Sequence, residues 1–313
     1  MNFPNHMTMA KFILLLPLAF FSEYSFCQRT DSIVLSNAVL YYYTYGSGQP
    51  IIILSGGPGQ ASHVEDDVAL ELSKRHRIIL FDQRGTGRSW TKPMDGSNIN
   101  IEQAIKDIEL LRKHLNVSKL NIYGHSWGSM LAAAYIARYP GNVQLFISVD
   151  GGPLDASMSS AVRVNFNSKY QLCDTQYDYW SRPDVMKKDS LKAKYELQKI
   201  TLAPLMYDTS NFNKVFLQVQ KGNKNDSMHE LMLESFRKKF VQVEKVREYQ
   251  GVSLIVFGFN DPIGLTTFNQ YLQAFPKAIV AGLYQSGHFP EIEQSGHFYE
   301  IINTFLENNI NKR

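Results

Sequence analysis

Cysteine is nearly missing from this chain of 313 residues: Cys27 and Cys173 are the only two. Cleavage after Cys27 would leave one thiol, so no internal disulfide is expected in the mature fold. Long runs of one charge are missing as well. The formal net charge is +3 and the basic residues cluster only in short pairs such as Lys187-Lys188 and Lys238-Lys239, which disfavours nucleic acid as a partner. There is no H-E-x-x-H and no paired-cysteine spacing, so no metal is expected. Internal repeats and low-complexity tracts are also lacking. The chain is 44% hydrophobic and 19% charged, a balance that lets a length like this bury a full core as one large domain, or as a core with an insertion.

No apolar run is long enough to span a bilayer, which takes about 20 residues, so no stable membrane span is expected. The run Phe12 to Phe21, preceded by Lys11 and followed by a polar stretch ending SFCQ, instead reads as an export signal over residues 1–27. Ser25 and Cys27 hold its small-residue positions, and Gln28 would start the mature chain. Translation from Met9 would give a more compact signal. Two alternatives are a lipid anchor at Cys27, against which the bulky Phe26 counts, and a buried N-terminal helix, against which Pro17 counts. The expectation is a periplasmic or extracellular protein.

Residues 32–45, rich in Val, Leu and Tyr around Asn37, suggest an antiparallel hairpin. Six continuous apolar runs follow: IIIL (51–54), RIILF (77–81), KLNIYG (119–124), LFISV (145–149), SLIVFG (253–258) and AIVAGLY (278–284). They read as strands buried on both faces. Between them lie helical periods, clearest over 101–115, where Ile101, Ala104, Ile105, Ile108, Leu111 and Leu115 form one stripe. This alternation predicts a mostly parallel α/β sheet flanked by helices. It stops near Gly152 and resumes near Gly251. Residues 28–151 and 251–313 are thus expected to form the core domain, and 152–250 an inserted helical cap; the alternative is an independent second domain.

The strand KLNIYG runs into Gly124-His125-Ser126-Trp127-Gly128 and then the helical SMLAAAYIARY. G-x-S-x-G between strand and helix is the arrangement in which two glycines allow a turn sharp enough to lift a serine off the carboxyl end of a sheet. A serine hydroxyl is a weak nucleophile and needs a base that a third group orients, here in the chain order Ser, Asp, His. Asp150 and Asp261 both end strands. Asp261 is preferred because Pro262 fixes its turn, and Asp150 is then expected only to cap a turn. The tetrapeptide SGHF occurs twice. His288 follows the last strand at the edge where Ser126 emerges, whereas His297 falls in the first turn of a final helix with Ser295 as its expected N-cap. The base is therefore expected to be His288. Oxyanion donors are expected from the N–H groups of Trp127 and of Gly57, the latter in Ser55-Gly56-Gly57-Pro58-Gly59. Asp82 to Ser89, DQRGTGRS, lacks the third glycine of G-x-G-x-x-G and the lysine of a P-loop, so no cofactor is expected; these residues should brace the loops under the site.

Taken together, SGGPG, FDQRGTGRS, GHSWGS, GFNDP and SGHFPEIE resemble the prolyl aminopeptidase (proline iminopeptidase) branch of the α/β-hydrolase superfamily, from about residue 40 to the end and weakly through the cap. The resemblance implies an α/β-hydrolase fold and a Ser126, Asp261 and His288 triad that releases N-terminal residues, often proline, from small peptides. It also implies cap glutamates that hold the substrate amine, for which Glu196, Glu230 and Glu234 are candidates. Two departures stand out: Ser55 where the family has histidine in HGGPG, and His125 where it often has glycine in GGSWG. The alternatives are a carboxylesterase or lactonase on the same triad, or a non-catalytic binding module.

Overall fold

A computed structural model of the chain describes residues 28–170 and 174–310. The expected signal peptide or lipid anchor, Cys27 and Cys173 all lie outside the described residues. The strands are β1 (Arg29–Val34), β2 (Ala38–Tyr45), β3 (Pro50–Leu54), β4 (Arg77–Phe81), β5 (Trp90–Thr91), β6 (Leu120–His125), β7 (Val143–Val149), β8 (Val252–Gly258) and β9 (Ile279–Leu283). The longer helices of the core are α1 (Asp66–Ser73), α2 (Ile101–His114) and α3 (Trp127–Arg138). Between β7 and β8 the described residues form helices and no strand: α4 (Ala156–Tyr170), α5 (Asp174–Ser181), α6 (Pro183–Lys188), α7 (Ser190–Leu202), α8 (Phe212–Lys221), α9 (Asp226–Lys238) and α10 (Val243–Val246). The chain then adds α11 (Gly264–Ala274), α12 (Pro290–Glu293) and α13 (Ser295–Asn309). Among the described residues no helix is long and apolar enough to cross a membrane.

The strands run in the order β1-β2-β4-β3-β6-β7-β8-β9, with β5 beside β2. β1, β2 and β5 pair antiparallel, and every pair from β4 to β9 is parallel. Because side chains alternate along a strand, each apolar run feeds two cores. Ile52, Leu54, Ile79, Phe81 and Ile122 pack with α2, α3 and α11 on one face. Ile51, Ile53, Ile78, Leu80 and Tyr123 pack with α1 and α13 on the other.

Two local expectations need correction. AIVAGLY is not buried on both faces: Ile279 is 51% exposed and Val280 42%, because β9 is the sheet's edge and has β8 as its one neighbour. Ser295 is the first residue of α13, and Gln294 stands in the N-cap position without a capping side-chain bond.

Candidate active site

Ser126 sits between β6 and α3 with φ 52° and ψ −114°, a left-handed conformation that side chains with a Cβ rarely adopt. Its neighbours hold it there. Its N–H donates to Val149 O at 2.9 Å, and its carbonyl accepts from Ser129 N at 3.1 Å and from Gly152 N at 3.3 Å. The flanking glycines are steric necessities: a methyl on Gly128 would stand 1.9 Å from Leu54 O, and one on Gly124 would stand 2.6 Å from the Gly128 carbonyl. The sharp turn exists because β3 and α3 approach this closely. It leaves Ser126 partly exposed among buried neighbours.

His288 is buried in the loop after β9, and its Nδ1 lies 2.8 Å from Asp261 Oδ2. Asp261 is held independently of the histidine, since its Oδ1 accepts from Ile263 N (3.0 Å) and its Oδ2 from Gly264 N (2.6 Å) at the start of α11. Burial alone would raise its pKa, yet the adjacent His288 and these donors leave it lowered. With Nδ1 committed to Asp261, Nε2 is the ring atom left to exchange a proton with a nucleophile. His297 is exposed in the first turn of α13.

The SGGPG loop lies against this serine. A methyl on Gly56 would come within 3.5 Å of Ser126 Cβ, and Gly57 has φ +121°, a backbone state that suits glycine. Trp127 is the first residue of α3, where N–H groups have no partner inside the helix and the helix dipole favours negative charge. The DQRGTGRS stretch ties these parts together. Gln83 Oε1 accepts from Trp127 Nε1 at 3.0 Å while its Nε2 reaches Ser55 O at 3.3 Å. Asp82 accepts from Ser62 N and Oγ, Tyr43 OH and Arg88 N. Arg84 makes a buried bidentate pair with Asp107.

Four acidic or basic groups that the sequence did not flag as functional lie around the base. His125 Nδ1 lies 3.2 Å from Glu65 Oε1, and its Nε2 lies 2.9 Å from His288 O. A histidine whose two nitrogens both meet acceptors carries both protons. Burial would lower its pKa, but the adjacent Glu65 raises it to about 10. Glu291 accepts from Gln218 Nε2 at 2.6 Å, and burial pushes it up to about 7 although His125 pulls the other way. Glu293 accepts from Gly287 N, Tyr207 N and Asp208 N. It thereby clips the His288 loop to the segment between β7 and β8. None of these glutamates belongs to a periodic pattern, so the sequence carried no signal for them.

That helical segment also touches the site directly: Leu205 O accepts from His288 N at 2.7 Å, and Pro58 O lies 2.8 Å from His229 Nδ1. The three glutamates expected to meet a substrate amine are less telling. Glu230 and Glu234 are exposed, Glu234 pairs with Lys238, and Glu196 is half-buried on α7. Among the described residues none of them is hydrogen-bonded to Ser126, Asp261 or His288. Asp150 does more than the turn capping expected of it. It is buried, and it brings a carboxylate oxygen within 4.8 Å of both Asp261 and His288. These three residues carry donor types that a metal takes, and Asp261 Oδ2 is engaged by His288 Nδ1 and Gly264 N.

A family profile described as alpha/beta hydrolase fold matches residues 49–186. The proline iminopeptidase of Heyndrickxia coagulans is 25% identical over 274 residues, which cover 83% of this chain and 91% of that protein. That of Xylella fastidiosa is 40% identical over 106 residues, 33% of each chain. Among solved structures, a proline iminopeptidase-related protein from Thermus thermophilus superposes with a TM-score of 0.70 at 18% identity, over 90% of this chain and 98% of that one. A carboxylesterase of Nitrososphaera gargenis does so with a TM-score of 0.66 at 20% identity, over 90% and 99%. At such identities the superpositions speak for the fold. This chain has the α/β-hydrolase fold, and its sequence resembles the proline iminopeptidase branch of that superfamily.

Proposed function

We propose that the protein is a serine hydrolase that releases N-terminal proline or other residues from small peptides. Ser126 attacks the acyl carbon, and His288 takes the serine proton and later returns it to the leaving amine. Asp261 holds the His288 tautomer, and the N–H groups of Gly57 and Trp127 meet the oxyanion. Water then attacks the acyl-enzyme with His288 as base. The observation that carries this reading is the 2.8 Å bond between Asp261 and His288 at the sheet edge where the strained Ser126 turn emerges. Similarity to proline iminopeptidases supports the substrate class.

A second reading, a carboxylesterase or lactonase, is favoured by one observation: Glu230 and Glu234 face solvent, and Glu234 is already neutralised by Lys238. An amine pocket needs a charge reserved for the amine. The test is hydrolysis of a proline arylamide with a free amine, of its N-acetyl form and of a short-chain aryl ester, by wild type and Ser126→Ala. The aminopeptidase reading expects cleavage of the free-amine arylamide and not of the N-acetyl form, with turnover abolished in Ser126→Ala; cleavage of the ester alone would replace it with the second reading. Turnover unchanged in a folded Ser126→Ala would remove serine catalysis altogether. Export is proposed on the first 27 residues, and sequencing of the mature N-terminus checks it: a start at Gln28 supports a cleaved signal, a lipidated Cys27 supports an anchor.

A further inference from the structure

Asp150 follows β7 with φ 44° and is 0% exposed, two costs that a residue without a role would be expected to avoid. Its main chain is locked, because its N–H donates to Val256 O at 3.0 Å. So is half of its side chain, since Oδ1 accepts from Gly258 N at 2.9 Å. The other oxygen, Oδ2, is buried and has no nitrogen or hydroxyl donor among the described residues. The carboxylate of Asp261 stands beside this group, with one carboxylate oxygen of each aspartate within 4.8 Å of the other's. Both carboxylates converge over Gly264, where a methyl would stand 2.5 Å from Asp150 Oδ1 and 2.8 Å from Asp261 Oδ2.

We propose that Asp150 is a neutral carboxylic acid that donates a hydrogen bond to Asp261, making it a positioning residue for the acid behind His288. Two buried carboxylates this close cannot both be ionised without strong repulsion, so one keeps a proton. Donor count says which. Asp261 accepts from Ile263 N, Gly264 N and His288 Nδ1, all of which stabilise an anion, whereas Asp150 accepts from Gly258 N alone. The charged and titratable groups around Asp150 are Asp261 beyond β8, His288 beyond β9, and His125 and Tyr123 on β6. His125 favours an ionised Asp150, but burial and Asp261 outweigh it and raise the Asp150 pKa well above the ordinary carboxylate range. The consequence is mechanical and electrostatic. A single negative charge faces His288, and the second carboxyl fixes its direction from behind.

The inference rests on the Ser126, Asp261 and His288 reading, so its first test does not depend on turnover. Infrared difference spectra at neutral pH should contain the deuterium-sensitive C=O stretch of a protonated carboxylic acid. In Glu291→Gln, which removes the other buried acid with a raised pKa, the band should persist, and adding Asp150→Asn should abolish it. No such band in Glu291→Gln, or one that survives the added Asp150→Asn, overturns the proposal. The second test uses whichever arylamide or ester the enzyme cleaves. Asp150→Asn keeps a donor toward Asp261 and should stay within about threefold of wild type. Asp150→Ala should lose about 10- to 100-fold in kcat with KM little changed, the scale of a misplaced catalytic group. A folded Asp150→Asn as impaired as Asp150→Ala would mean that Asp150 acts as an anion, and would sink the idea. Should Ser126→Ala retain turnover, the triad reading fails, while the infrared result still reports on the proton of Asp150.

Discussion

His125 Nε2 lies 2.9 Å from the carbonyl oxygen of His288, and the two imidazole rings sit 4.9 Å apart. The residue before the proposed nucleophile thus holds the main chain of the proposed base. Glu65, from the opposite side, holds His125. The position at which this chain departs from the glycine usual in GGSWG has become a charged strut under the site.

This strut should make stability depend on pH. The folded pKa of His125, about 10, lies above its ordinary 6.5, so the folded state binds its proton more tightly than the unfolded chain. Its contribution is fully present below about pH 6.5 and is lost as the pH rises through about 10. The wild-type Tm should therefore fall between about pH 7 and pH 10, and His125→Gln should flatten that fall. His125→Ala, which strands a buried Glu65, should cost about 3–5 kcal/mol in urea unfolding at pH 7. A Tm profile equally steep in His125→Gln would refute the assignment.

The turn around Ser126 makes a sharper steric prediction. In Gly128→Ala the new methyl would stand 1.9 Å from Leu54 O, and a backbone carbonyl in β3 cannot yield without breaking strand pairing. The variant should be expressed poorly or unfold at a much lower denaturant concentration. Gly96→Ala is the control, because its methyl would meet nothing within 4 Å; it should stay within about 0.5 kcal/mol of wild type. Equal stability of the two variants would mean that α3 does not approach β3 so closely.

The sequence made the scaffold legible because apolar runs such as RIILF and SLIVFG have few other places to go than the interior of a sheet. It also separated His288 from His297, since one follows a strand and the other opens a helix. AIVAGLY misled because an edge strand can carry the same residues as a central one. The Asp150 and Asp261 pair was out of reach for another reason. Each aspartate follows its own strand, and only the adjacency of β7 and β8 in the sheet brings the two carboxylates together. Glu65, Glu291 and Glu293 lie beside turns or in short helices, where no spacing reveals which way a side chain points. Glu196, Glu230 and Glu234 could not be ranked, because solvated helix faces and substrate-facing ones have the same composition.

Glu293 offers the most local test of how the helical segment is coupled to the base. Its Oε2 accepts from Gly287 N at 2.6 Å, and its Oε1 accepts from Tyr207 N at 2.8 Å and Asp208 N at 2.9 Å. All three donors are main-chain groups, so a carboxylate with two accepting oxygens fits them and an amide does not. Glu293→Gln must turn its NH₂ toward one set of N–H groups, losing at least one bond, each worth about 1 kcal/mol or more when it goes to a charge. Hydrogen exchange should therefore quicken at Gly287, Tyr207 and Asp208 and stay unchanged in β3 and β6, whose ladders do not involve Glu293. Because His288 N also donates to Leu205 O, the loop should loosen without being released. The expected signature is a modest fall in kcat with the fold intact. Exchange that quickens across the whole sheet instead would make Glu293 a determinant of global stability, and the clip between the base and the helical segment would lose its special standing.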